Sequence, residues 1–183
     1  MDVARLREAT AADHEAVEGA VPLMDAGLDR ARYVAVLQRM HGVVKVWEEF
    51  ALRAAPPSLL PMVVERQRLG LLEGDLLGLG ADVPSGDGPV LPGWGSPGEL
   101  LGAMYVMEGS RLGGQMIARH VEGLLGFSSG EGGAYFRGFG DRTGVMWKEL
   151  VRVLDGVPPP QDEVVIRAAR EMFAVFGGWM RGV

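Results

Sequence analysis

Between Asp29 and the pair Pro56 and Pro57 no proline interrupts the chain, and Val34, Leu37, Met40, Val44 and Trp47 recur at three- and four-residue spacing. A long helix places such a series on one face, so this stretch constrains the fold more than any other. Asp29 is the expected N-cap, and the two prolines end the helix near Ala55.

The same punctuation divides the rest of the chain. Residues 2–18 read as a helix with Val3, Leu6, Thr10 and Val17 near one side, stopping at Gly19 and Pro22. Ser58 is the expected cap of a third helix reaching about Leu79, and 80–95, rich in Gly, Pro, Asp and Ser, reads as a surface loop. Ser96, Pro97 and Glu99 have the pattern of a capping box with proline in the first turn, opening a helix over about 97–124. After a Gly-rich stretch at 126–140, Asp141 is the expected cap of a helix to about Leu154. Beyond Pro158, Pro159 and Pro160 a last helix spans about 162–180. The Gly-rich loops are not flanked by alternating apolar and polar runs, so hairpins are not expected. The reading is all-α, six or so helices in a single domain over 1–183.

Composition narrows the function. The 183 residues are 48% hydrophobic and 23% charged, a balance that supports one sizeable core. No uninterrupted apolar run is long enough for a membrane span, and MDVARLREAT has no signal-peptide h-region, so a cytoplasmic location is expected. The formal charge is −6 and no basic stripe is present, which argues against nucleic acid as partner. With no cysteine, thiolate metal sites and thiol nucleophiles are excluded. The three histidines, His14, His41 and His120, stand far apart in sequence.

Two segments carry residues suited to chemistry. On a straight helix His14 lies about 20° around and about 10.5 Å along from Arg7, so the two share a face. Glu18, four residues on, can accept the Nδ1–H of His14 and leave Nε2 as a neutral ligand. The plainer reading is a partly buried histidine bonded to a neighbour, with Arg7 and Glu18 on a solvated face. The second segment, YVMEGSRLGGQ at 105–115, puts Gly109, Gly113 and Gly114 inside an expected helix, where each glycine costs roughly 0.5–1 kcal/mol relative to alanine. Missing side chains at Gly109 and Gly113 admit a close surface, either another helix or a flat ligand. Glu108 and Arg111 have the spacing of a solvent-facing pair, and with Ser110 could instead hold ordered water. His41 and His120 read as structural or exposed, and Trp47, Trp147 and Trp179 as core.

Taken together, LREATAADHEAVE (6–18) and YVMEGSRLGGQ (105–115) resemble the biliverdin-producing haem oxygenases, especially the bacterial type that accompanies bacteriophytochromes. Order, separation and the helical frame agree, and the resemblance extends more weakly to the last two helices. It implies haem b (iron protoporphyrin IX) as both cofactor and substrate and dioxygen as co-substrate, with the ring opened to biliverdin, carbon monoxide and ferrous iron. By the same resemblance the iron ligand falls on His14 and its supporting carboxylate on Glu18. A propionate contact falls on Arg7, and the glycines passing over the haem fall on Gly109 and Gly113. A further propionate contact falls on Lys148, in GVMWKELVRVLD, and Tyr105 joins the same pocket.

Two departures stand out. Ser110 occupies the place of an aspartate that organises distal water in the animal-type enzymes, so Glu108 or Arg111 would support the water chain. A second basic residue expected near Gly144 is also missing. No flavin or nicotinamide fingerprint is present, and the resemblance implies an external electron donor, a ferredoxin or a flavoprotein reductase. It also implies a bacteriophytochrome as receiver of biliverdin. A different class, a haem-binding carrier or sensor with the same fold and His14 but no turnover, is the competing expectation.

Overall fold

A computed structural model describes residues 1–127 and 131–181. Among these the chain is helical, with α1 (Val3–Ala9), α2 (Ala11–Ala20), α3 (Arg30–Ala54), α4 (Leu60–Glu65), α5 (Leu69–Gly78), α6 (Pro97–Gly109), α7 (Gly114–Leu125), α8 (Ala134–Arg137), α9 (Thr143–Asp155) and α10 (Asp162–Met180). Short 3-10 turns, Gly140–Arg142 and Pro159–Gln161, lead into α9 and α10. No strand occurs among the described residues, and none of the helices is long and apolar enough to cross a membrane. Residues 128–130, inside the expected 126–140 loop, lie outside those described.

The long α3 begins where its sequence requires. The Asp29 carboxylate accepts the Arg32 amide at 2.8 Å, and the residues forming the apolar stripe, Leu37, Met40, Val44 and Trp47, are buried. Only Val34 stays half-buried. The capping box at Ser96 and Glu99 is formed in both directions.

The core centres on α6, which is buried around nearly its whole circumference: Leu100, Met104 and Val106 as well as Leu101, Ala103 and Met107 are all inside. Its principal partner is α10. A Cβ on Gly102 would overlap the Val165 carbonyl oxygen and stand 3.0 Å from the Ala168 Cβ. Small residues on both helices therefore let the backbones touch, and the α10 alanines Ala168 and Ala169 are fully buried there. Around this pair α10 also packs on α2 and α3, and α3 on α5.

Four expected elements differ. The helix over 2–18 is kinked at Thr10 (φ −112°), whose hydroxyl donates back to the Leu6 carbonyl at 2.8 Å and competes with the helical ladder. The helix expected over 58–79 is two. Ser58 does not cap it, since α4 starts after Leu59, and the chain turns at Arg66–Arg68. There the buried Glu48 carboxylate of α3 accepts the amides of Arg68 (2.6 Å) and Leu69 (3.1 Å), an N-cap supplied from another helix. The helix expected over 97–124 is interrupted at 110–113, so Gly113 is the N-cap of α7 rather than a mid-helix residue. The cap of α9 is Arg142 and not Asp141, because the 3-10 turn runs straight into the helix. The short α8 arose in a segment read as loop: the Asp75 carboxylate accepts the Ala134 and Tyr135 amides at 2.9 and 2.8 Å.

Candidate functional site

The kink at Thr10 turns α2 so that it packs along α10. The His14 ring meets Phe173 of α10 edge to face, with centroids 5.9 Å apart. The imidazole is about half exposed, at 54%, and its Nδ1 lies 3.7 Å from a Glu18 carboxylate oxygen. That places the acid on the Nδ1 side and leaves Nε2 available. Because of the kink, the straight-helix relation between Arg7 and His14 does not hold as drawn from spacing. Arg7 is exposed, and its charge is felt by Tyr105 on α6.

Tyr105 links the amino-terminal corner to α6. Burial pushes its phenol toward a higher pKa, and the adjoining Thr10 hydroxyl and the charge of Arg7 oppose that push. On its other side the ring lies 5.6 Å from that of Trp147 on α9. Trp147 in turn covers Gly109: a Cβ added there would sit 3.8 Å from the indole, an ordinary contact. Gly113 has open space in the same test. Neither glycine is required by helix packing, whereas a Cβ on the neighbouring Gly114 would overlap the Phe136 carbonyl oxygen. The three glycines of the motif thus divide into one that lets α7 approach α8 and two whose bareness no protein contact demands.

Glu108 and Arg111 are placed differently from the plainer reading of their spacing. They do not form a solvent-facing pair: both are buried, 2.6 Å apart, and pointed into a cluster with Arg66 and Arg68. Burial pushes the Glu108 carboxyl up, while Arg111, Arg68 and Arg66 hold it down. Burial likewise lowers the Arg111 pKa, the repulsion of Arg68 adds to that, and Glu108 opposes it. The Ser110 hydroxyl donates back to the Met107 carbonyl at 2.9 Å. Lys148 is exposed beside Trp147 in sequence.

The structure thus brings Arg7, Tyr105 and Gly109 together through Thr10 and Trp147, with His14 on the α2 side. It leaves Ser110 and Lys148 at the exterior and takes Glu108 and Arg111 inward. Among the described residues no three His, Asp or Glu side chains converge as a metal cage. An iron held here would rest on a single imidazole within a larger ligand. The donor set suits that: a half-exposed imidazole with a carboxylate on its far nitrogen, and a bare backbone flanked by indole and phenol.

Trp147, read from sequence as core, is half-buried over Gly109. The buried ions Glu48, Arg66, Arg68 and Asp75 escaped the sequence reading. Arg66 and Arg68 stand in the polar run Glu65–Arg68 and carry no sequence signal of burial; Glu48 directly follows Trp47, and Asp75 directly precedes Leu76. His41 is buried, with Nε2 3.2 Å from Glu73, and is therefore structural rather than exposed. His120 is half-buried. A separate cavity of about 610 Å³ lies between α3 and the 89–95 loop, lined by Phe50, Leu91 and Trp94 among others, and shares none of these site residues.

Comparison with known proteins adds a family. Residues 92–182 match the family model described as Heme oxygenase. The chain is 28% identical over 179 residues to heme oxygenase PigA of Pseudomonas aeruginosa, covering 94% of this chain and 88% of that one. In fold it is similar to the NO- and CO-bound heme oxygenase of Neisseria meningitidis, with a TM-score of 0.80 and 23% identity over 96% of this chain and 88% of that one. It is also similar to the heme oxygenase of Leptospira interrogans, with a TM-score of 0.79 and 20% identity over the whole of both chains.

Proposed function

We propose that this chain, which belongs to the heme oxygenase family, binds haem b between α2 and the α6–α7 turn and cleaves it oxidatively to biliverdin, carbon monoxide and ferrous iron. The observation that carries the reading is the bare backbone at Gly109, which faces Trp147 beside Tyr105, and at Gly113, which faces open space; packing explains neither. Bound haem supplies the iron that activates dioxygen, and its own ring is the substrate.

The roles of the chain follow from their chemistry. His14 Nε2 ligates the iron as a neutral imidazole. Glu18, with a carboxylate oxygen 3.7 Å from Nδ1, puts a negative charge on the side of the Nδ1–H, where it favours that tautomer and raises ligand basicity. Arg7 and Lys148, both exposed, supply positive charge to propionates at the rim. The bare backbone at Gly109 and Gly113 would let a flat ring come close to the chain, with Trp147 and Tyr105 beside it. Electrons come from a ferredoxin or flavoprotein reductase, and a bacteriophytochrome is a receiver for the product.

A specific observation favours the alternative of a haem carrier or sensor. The Ser110 hydroxyl donates to the Met107 carbonyl, and Glu108, two residues before it, is turned inward onto Arg111. One experiment separates the two. Purified protein is titrated with hemin and then given ascorbate or a reductase in air, with product analysis. Enzyme turnover bleaches the Soret band as bile pigment and carbon monoxide appear; a persistent Soret band identifies a carrier. No saturable Soret shift on titration would remove both.

A further inference from the structure

Arg66, at the C-terminal end of α4, is 3% exposed, and its guanidinium touches three helices. One terminal nitrogen donates to the Met146 carbonyl of α9 at 2.8 Å and to Glu149 of the same helix at 3.1 Å. The other donates to Met62 of α4 at 3.2 Å. Nε stands 3.4 Å from the Glu108 carboxylate of α6 without a formed hydrogen bond. The backbone carbonyl of Arg66 also accepts from Arg111 at 2.6 Å, and Arg111 pairs with Glu108.

Such burial of a charge is costly unless every contact is kept, so the hub holds its partners at fixed separation. Its partners are the sequence neighbours of two residues that meet, Trp147 and Gly109. Met146 precedes Trp147, and Glu108 precedes Gly109; a Cβ added at Gly109 would stand 3.8 Å from the Trp147 indole. A planar fork spanning α9 and α6 sets that separation, which a flexible single-point cation does not.

We infer that Arg66 is a positioning residue for the haem site: by tying the Met146 carbonyl to the Glu108 carboxylate, its guanidinium fixes where Trp147 stands over Gly109. The function of that site rests on the haem reading above, but the geometry of the tie does not, and the test keeps them apart.

Protein labelled with 5-fluorotryptophan gives one fluorine signal for each of its four tryptophans, and Trp147→Phe assigns the Trp147 signal. In the ligand-free protein, Arg66→Met is expected to shift the Trp147 signal while the signals of Trp94 and Trp179 stay in place. The hemin dissociation constant of the same variant is expected to rise about tenfold, as misplacement of a positioned group does. A purely structural role would lower the melting temperature and leave both readouts alone. Should Arg66→Met not fold, Arg66→Lys, which keeps the charge and loses the fork, receives the same measurements and the same expectation in smaller size. A folded variant whose Trp147 signal is unmoved overturns the positioning role. Wild-type protein that takes up no hemin overturns the haem reading instead, and the fluorine shift still decides on Arg66.

Discussion

A Cβ on Gly109 would lie 3.8 Å from the indole of Trp147, close enough to touch and too far to clash. The glycine is therefore dispensable to the apoprotein, and its φ is not positive. Gly109→Ala should raise stability by about 0.4–1 kcal/mol through the unfolded chain, the usual gain where alanine fits the backbone. It should at the same time weaken hemin binding or slow turnover, and Gly109→Leu should do so far more. Thermal melts of the apoprotein beside hemin titrations check the opposite signs; a stability loss in Gly109→Ala would restore the glycine to a packing role.

Gly102 and Gly114 give the reverse result. At each a Cβ would overlap a carbonyl oxygen, of Val165 and Phe136 respectively, and backbone cannot step aside as a side-chain end can. Either alanine variant should cost about 1–3 kcal/mol by overpacking. For a chain of this size that lowers Tm by several degrees, and denaturant melts of the two variants measure it directly.

These four glycines show what the sequence can and cannot carry. All sit in helical or near-helical sequence, and spacing alone leaves a close helix and a flat ligand equally open for Gly109 and Gly113. Only the third dimension shows Val165 and Phe136 pressing on two of them and nothing but an indole near a third. Elements fixed by local chemistry were legible: Asp29 and the prolines bounded α3, the Ser96–Glu99 box opened α6, and the span of α10 agrees within a residue. Elements fixed from afar were not. Glu48 caps α5 across 20 residues of chain, and Asp75 caps α8 across 59 and 60, so no window on the sequence contains both cap and helix. The same distance hid Arg66 and sent Glu108 and Arg111 inward.

His14 is half exposed and meets Phe173 edge to face. His14→Ala should therefore change unfolding free energy by no more than about 0.5 kcal/mol, as surface substitutions do. The ferric hemin complex should nevertheless lose its wild-type axial-ligand spectrum, and added imidazole should restore it. Glu18→Gln should keep the ligand and shift the spectrum only slightly, since it removes the charge near Nδ1 and leaves the imidazole in place. Melting curves combined with absorption spectra separate ligand from scaffold; an unchanged His14→Ala spectrum moves the axial role to another residue.

The Glu99 carboxylate is held down to about 2 chiefly by the Arg167 guanidinium, with the Gly95 amide adding to it, and both contacts are lost on unfolding. The folded pKa lies below the unfolded one, so the contribution is present above the ordinary carboxylate range near 4.5 and disappears as pH falls from there through about 2. The difference in Tm between wild type and Glu99→Gln should be constant from pH 7 to about 5, narrow steadily below that and vanish near pH 2. Because the group lies at the surface, salt should shrink the difference at neutral pH without moving the direction of its acid dependence. The amide of Gln can still accept from the Gly95 and Ser96 amides, so what the titration isolates is the charge shared with Arg167 rather than the capping box. A Tm gap that instead widened toward acid would mean that Glu99 is protonated more readily in the folded chain than out of it, and would place Arg167 elsewhere.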